Sequence, residues 1–193
     1  MLADEPKSYR LEQAFLKKVL APYPDHCQYL KSLLFSHQAP PAPASERDRQ
    51  QAALKWPQAK GDFAIAESCY IDDTGHFNAV ELNICFNQFF YSFIATCIKE
   101  RLLKELHHFS LDDFFKYQLS NILIVRLCSS FRKAINARQF CGTLAIQSIR
   151  KNKRFVLLKT ACTFFDQHQG FAEAEVSLTI LDQTSVEGRA HGH

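Results

Sequence analysis

From Phe77 to Leu106 the chain carries neither proline nor glycine, and nothing in that run breaks a helix. Over its first half the apolar positions go almost all the way round: Val80, Leu82, Ile84, Phe86, Phe89, Phe90, Phe93 and Ile94. A helix that is apolar on every side belongs in a core, so the rest of the chain must be laid around it. From Lys99 to Glu105 the pattern becomes amphipathic, and the helix is expected to surface there.

The flanking segments supply the wrapping. Tyr9 to Leu20 reads as an amphipathic helix, with Leu11, Ala14, Phe15, Val19 and Leu20 on one side, stopped by Pro22 and Pro24. Cys27 to Phe35 reads as a strand, and Gln38 to Lys60, rich in proline, alanine and charge, as a surface loop. Gly61 to Ile71 alternates as a strand, placing Phe63, Ile65, Cys69 and Ile71 on one side, before a turn at Thr74-Gly75. A short helix starts at Ser110 with acidic residues in its first turn and runs to about Tyr117. Four strands follow, Ser120 to Arg132, Phe140 to Arg150, Arg154 to Asp166 and Gly170 to Leu181, with hairpin turns at Lys151-Asn152-Lys153 and Gln167 to Gly170. One buried helix followed by consecutive hairpins calls for an α+β architecture, an antiparallel sheet wrapped around one long central helix, as in the hot-dog fold. The expected organisation is one domain over residues 1–193: an N-terminal helix within 1–24, a surface loop at 36–60 and a flexible tail at 182–193.

Composition excludes several classes of function. A net charge of +3 with 20 acidic residues is not that of a nucleic-acid binder. The basic run Arg150-Lys151-Asn152-Lys153-Arg154 is read as a solvated hairpin, with phosphate binding as the sharper alternative. Seven scattered cysteines, none in a CxxC pair, fit reduced core residues of a cytoplasmic protein. No apolar run is long enough to span a membrane, and the N-terminus has no signal core. Seventeen Phe residues could hold a long apolar ligand, although dense core packing accounts for them as well. No metal site and no cofactor are expected, although His191 and His193 in the tail could hold a metal weakly.

Polar groups on the buried helix mark where chemistry would sit. Asn83, Asn87 and Tyr91 recur at intervals of four and share a face, while Glu81, Cys85, Gln88 and Ser92 form an adjacent strip. Such groups cost desolvation unless paired, so the stripe is either satisfied internally or reserved for a ligand. At the helix start, Gly75-His76-Phe77-Asn78 offers first-turn N–H groups and a positive dipole end, suited to an oxygen that gains negative charge. Gly75 lets backbone approach a ligand closely, and Tyr70, ending the preceding strand, brings a phenol to the same corner. No GxSxG, HExxH, P-loop or GxGxxG motif is present.

The segment GDFAIAESCYIDDTGHFNAVELNICFNQFFYSFIA resembles the FcoT-like thioesterase family, a hot-dog branch that acts on fatty acyl thioesters; TGHFNAVE followed by CFNQ and a tyrosine carries the likeness. Weaker similarity extends over VLAPYPDHCQYL, LDDFFKYQLSNILI and SSFRKAINARQF, about residues 15 to 181 in all. The resemblance implies that Tyr23, Tyr70, Asn87 and Tyr91 surround the acyl group, and that His76 and Asn78 belong to a helix-start motif of wider hot-dog thioesterases. Asp72 takes the aspartate place of that motif, but its second asparagine is Ala79 here, which argues against transferring an aspartate-driven hydrolysis. Asp72 and Asp73 are read as shaping the turn.

The branch includes enzymes of isonitrile lipopeptide biosynthesis, so the resemblance implies addition of glycine to the β-carbon of a (2E)-enoyl group on acyl carrier protein. Hydrolysis of the thioester is a second capacity. His76 and Glu81 are the candidate bases; Arg126, Arg132 and Lys133 are candidate partners for a glycine carboxylate. The expected assignment is thus Tyr70, His76, Glu81 and Asn87 as catalytic, with Tyr23, Gly75, Asn78, Asn83, Tyr91 and Arg132 binding substrate. Partners would be an acyl group on acyl carrier protein or CoA, glycine, and a second copy of the chain. A plain long-chain fatty acyl-CoA thioesterase and a non-catalytic lipid-binding module are the alternatives.

Overall fold

The structure is a computed structural model and describes residues 7–37, 56–72 and 74–182. Its elements are β1 (Lys7–Arg10), α1 (Gln13–Leu20), β2 (Leu30–His37), β3 (Gln58–Phe63), α2 (Ala79–Lys99), α3 (Leu111–Asn121), β4 (Ile122–Lys133), β5 (Phe140–Lys151), β6 (Phe155–Phe165) and β7 (Phe171–Leu181). Short 3-10 turns occupy Asp25–Cys27 and Lys104–Leu106.

The strands form one antiparallel sheet in the order β1-β2-β3-β5-β6-β7-β4, and α2 lies against its inner face. This is the α+β, hot-dog arrangement expected from the pattern. Fifteen residues of α2 are buried, among them every phenylalanine it carries. The strands answer with alternating inward side chains, which in β3 are Ala59, Gly61 and Phe63. Phenylalanines join the two layers: Phe93 meets Phe35 with ring centroids 5.5 Å apart, Phe89 meets Phe63 at 5.4 Å, and Phe77 meets Phe140 at 4.7 Å. Packing these rings, rather than a ligand, accounts for much of the phenylalanine content.

Several boundaries differ from the sequence reading, each for a physical reason. The N-terminal segment is a short strand, β1, followed by an eight-residue helix, because Lys7 to Arg10 finds a partner in β2. The strand expected from Cys27 starts at Leu30, since Asp25–Cys27 turns and the amides of Tyr29 and Leu30 are both taken by the Gln88 side chain, at 2.8 and 3.0 Å. β2 and β3 extend into the expected loop from both sides, to His37 and from Gln58; residues 38–55 lie outside the described residues, as does the tail from 183.

β3 stops at Phe63, so Tyr70 does not end a strand. The described residues between 64 and 78 form neither helix nor strand, and Ile71, expected inside, is 53% exposed. The long helix ends at Lys99 and does not reach Leu106. Arg101 adopts a left-handed φ of 53°, and Leu102 N–H closes back on Cys97 O at 2.9 Å, a Schellman-type ending made without glycine. α3 in turn runs on to Asn121, and the strand expected from Ser120 begins at Ile122.

The expected meander holds only for β5-β6-β7. β4 pairs with β7 and forms an edge, so residues 134–139 must cross from the edge to β5 in the middle of the sheet. That crossing passes beside the helix start: Phe77 N–H donates to Ile135 O at 3.1 Å and Ile65 N–H to Ala137 O at 2.9 Å.

Candidate active site

Local chemistry fixes the start of α2. Asn78 is the N-cap; its Oδ1 accepts from Val80 N at 3.0 Å and Glu81 N at 3.2 Å, while Glu81 Oε2 accepts from Asn78 N at 3.2 Å. This capping box engages the amides of Asn78, Val80 and Glu81, which the sequence had offered to a ligand oxygen. The dipole end remains positive, but those three N–H groups are not available to a carbonyl. Glu81 is buried and committed to the cap, so it is placed as a structural carboxylate and not as a base reaching outwards.

Tyr70 does come to this corner. It is 45% exposed, and its phenol donates to Asn78 Oδ1 at 2.8 Å. Gly75 has a φ of +73°, in the left-handed region, with open space where a Cβ would stand. His76 is exposed, and its Nδ1 lies 2.9 Å from Thr74 O. A carbonyl can only accept, so Nδ1 carries the proton of the neutral ring and Nε2 is left with the lone pair. Of the two candidate bases, Glu81 is tied into the cap, while Nε2 of the exposed His76 has no hydrogen-bond partner among the described residues. Asp72 is exposed at the turn, while Asp73 lies outside the described residues.

Along α2 the aligned stripe grades from solvent to interior: Asn83 is exposed, Asn87 half-buried and Tyr91 buried. Asn87 Nδ2 donates back to Asn83 O at 2.9 Å, which leaves its carbonyl oxygen as an acceptor. At the inner end Tyr91 faces Tyr23, ring centroids 6.5 Å apart, and Phe114 of α3 meets Tyr91 edge-on at 6.5 Å. Among the described residues neither phenol oxygen is hydrogen-bonded. Burial pushes both phenols above the ordinary tyrosine range, and Tyr91 adds to the effect on Tyr23. Both therefore remain neutral donors at any physiological pH. At 1.5 Å per residue, Asn78 and Tyr91 are about 20 Å apart along the helix, so one carbonyl cannot touch both ends of the stripe.

The proposed cations are placed elsewhere. Arg132 bonds Glu173 at 3.0 Å; Glu173 alternates with the buried Ala172 and Ala174, so this pair lies on the outer face of the sheet, away from α2. Lys133 Nζ is held by His168 O at 2.9 Å and Gln169 Oε1 at 3.3 Å. Arg126 is exposed and pairs across β4 and β7 with Ser177, on that same outer face. The basic run 150–154 forms the β5–β6 hairpin, where Lys151 Nζ meets His108 Nδ1 at 2.9 Å.

Three supports were not visible as site residues in the sequence. Tyr29, buried in the core, accepts from Cys69 N–H at 2.9 Å. Gln88, noted only as part of a polar strip, binds the Cys27–Leu30 backbone. Asp166 anchors the crossing loop through Asn136 N–H at 2.7 Å, and binds His168 and Gly170 N–H in its own turn. Their role depends on partners 30 to 61 residues away along the chain or on a turn geometry, and no local motif announces it. Beside Tyr29, burial first and then the neighbouring Cys69 push the Cys27 thiol up to about 11. A separate cavity of about 550 Å³ between α1 and residues 25–31 is lined by Gln13, Lys17, Gln28 and Lys31 and includes none of the expected site residues.

Comparison with known proteins settles the family. A model described as the FcoT-like thioesterase domain matches residues 18–180. The chain belongs to the FcoT-like thioesterase family. It is similar to the (2E)-enoyl-ACP glycyltransferase of Streptomyces coeruleorubidus, 38% identical over 176 residues that cover 89% of this chain and 98% of the relative. The protein of the same name from Mycobacterium tuberculosis is 39% identical over 127 residues, covering 64% and 69%. Among solved structures, a Staphylococcus aureus protein in complex with CoA aligns with a TM-score of 0.42 at 17% identity, over 68% of this chain and 81% of that one. A 1,4-dihydroxy-2-naphthoyl-CoA thioesterase from Synechocystis gives 0.37 at 12%, over 63% and 80%.

Proposed function

We propose that this member of the FcoT-like family adds the amino group of glycine to the β-carbon of a (2E)-enoyl thioester carried by acyl carrier protein. The near end-to-end match to the Streptomyces coeruleorubidus glycyltransferase carries this reading. The geometry supports it. As the glycine nitrogen bonds to the β-carbon, the enoyl π electrons move onto the thioester oxygen, giving an enolate, and the α-carbon then takes a proton. An enolate needs a hydrogen-bond donor and a positive field; the α2 dipole end supplies the field, and Tyr70 supplies the donor by turning its phenol O–H from Asn78 Oδ1 to the thioester oxygen. His76 Nε2 takes the proton from the glycine ammonium or from the adduct.

The burial gradient along α2 orients the substrate. The polar carrier arm lies at the exposed end by Asn83, and the acyl chain runs inward past Asn87 towards Tyr23, Tyr91 and Phe114. A second copy of the chain completes the site in this reading. β4 is an edge strand with Leu123, Val125 and Phe131 each more than two-fifths exposed, and Phe131 lies 6.3 Å from Phe77 at the helix start. The reading also places the protein in the cytoplasm, consistent with seven unpaired thiols, and its product in isonitrile lipopeptide assembly.

The test is direct: purified protein, a 2-enoyl thioester on acyl carrier protein, and isotopically labelled glycine. A mass gain of one glycine with the thioester intact is expected. Release of free thiol without glycine uptake would make the protein a hydrolase, and binding of the thioester without either change would make it a lipid-binding module.

A further inference from the structure

The described residues between Ile65 and Phe77 form no helix or strand, yet Tyr70 is among them. It needs an anchor if that phenol is to stand in one place. The anchor is Tyr29. Its ring is 1% exposed, its hydroxyl accepts from Cys69 N–H at 2.9 Å, and it reaches Glu67 O at 3.4 Å. Tyr29 is itself fixed from behind, because Gln88 of α2 accepts its backbone N–H at 2.8 Å and donates to Cys27 O at 2.6 Å. The path closes on itself: Gln88 in α2 holds Tyr29, Tyr29 holds residues 67–69, and Tyr70 returns to α2 through its bond to Asn78.

We infer that Tyr29 is a positioning residue that sets Tyr70 against the start of α2. The inference rests on the proposed role of Tyr70 in the reaction. Tyr29 does not touch substrate; its phenol is enclosed by protein and tied to backbone. It acts by holding Cys69, the residue before Tyr70, to the body of the sheet. A shift of the order of 1 Å in a positioned group costs up to about a hundredfold in rate, so losing this tie matters without any loss of chemistry at position 29 itself.

The experiment uses the full chain with Tyr29→Phe, Tyr70→Phe and the double variant. Tyr29→Phe retains the buried ring and removes one oxygen. Expected are a fall in kcat for glycine addition of between about tenfold and a hundredfold, KM for the enoyl thioester within about twofold, and faster hydrogen exchange at the amides of Cys69 and Tyr70, with the urea midpoint lowered by no more than about 1 M so that the variant is folded in the assay. In the Tyr70→Phe background, Tyr29→Phe should produce little further loss, because both changes disable one device. A purely structural residue would give losses that multiply with those of Tyr70→Phe, and that result overturns the inference. So does unchanged exchange at Cys69. A Tyr70→Phe enzyme with full turnover points elsewhere: it removes Tyr70 from the reaction, whatever the exchange data show about the tie.

Discussion

Replacing Gln88 by methionine puts a side chain of similar length and no hydrogen-bonding amide at a position with no solvent access. Three backbone groups lose their partner: the N–H groups of Tyr29 and Leu30 and the carbonyl of Cys27. Each buried group left unpaired costs about 1–3 kcal/mol, while removing the desolvated amide returns about 1 kcal/mol. Partial relaxation of the Cys27–Leu30 segment lowers the sum, and a net loss of about 3–4 kcal/mol is expected. That is a large share of the roughly 5–15 kcal/mol that holds an ordinary domain together. With a urea slope of about 2 kcal/mol/M, the midpoint should fall by roughly 1.5–2 M. Ser92→Ala is the control. Its hydroxyl only back-bonds to Gln88 O at 2.8 Å within α2, so its cost should stay below about 1 kcal/mol. Gln88→Glu sharpens the point. A protonated carboxyl can accept from the two N–H groups and donate to the carbonyl, whereas a carboxylate cannot donate. Burial raises the folded-state pKa of the new carboxyl above its unfolded value of about 4.3, so this variant should be most stable below that pH and lose stability as pH rises through the folded value. A Gln88→Met protein within about 1 kcal/mol of wild type would refute the assignment of Gln88 as the clamp on this corner.

Three further outcomes follow from particular contacts. Gly170→Ala puts a Cβ 2.5 Å from Ala134 O and 2.7 Å from Ile135 Cα, so it should displace the crossing loop from the helix start and lower both stability and turnover, read by urea unfolding and the glycine-addition assay. Asp62 is held below the usual carboxylate range, chiefly by the Ser32 hydroxyl and also by Arg10; for Asp166, desolvation pushes upward but the N–H groups of Asn136, Gly170 and His168 outweigh it. Their contribution is complete above about pH 4 and is lost as pH falls through the lower folded values, so Asp166→Asn should flatten the acid limb of a stability–pH profile and leave the neutral-to-alkaline limb parallel to wild type. Under native alkylation, exposed Cys128 should label first, while Cys85 and Cys97, both buried with thiols pushed well above the ordinary range by desolvation, should stay unmodified; the opposite order in peptide mass spectra would contradict the core.

The amino-acid sequence by itself determined the parts of this protein that depend on local pattern. The all-round apolar run from Val80 specified a buried helix, the strand-like runs separated by turn residues after Ser120 specified strands, and TGHFNAVE with CFNQ specified the family, because period and motif are properties of neighbouring residues. Ends made without a marker were not legible: α2 stops at Lys99 through a left-handed Arg101, where no glycine gives notice. Only the tertiary structure decided which strand lies beside which. β4 joins β7 at the edge because pairing is chosen by the packing of whole faces around α2, and the loop that must then cross the sheet end comes to rest against Ile65 and Phe77. The same holds for the site. Tyr70 was visible as a phenol near a helix start, but its bond to the capping asparagine, the engagement of Glu81 in the cap and the anchoring by Tyr29 all join residues through space. Hydrogen bonds across 40 or 61 positions leave no trace in sequence spacing, which is why the stripe on α2 could be read from the chain and the frame that holds it could not.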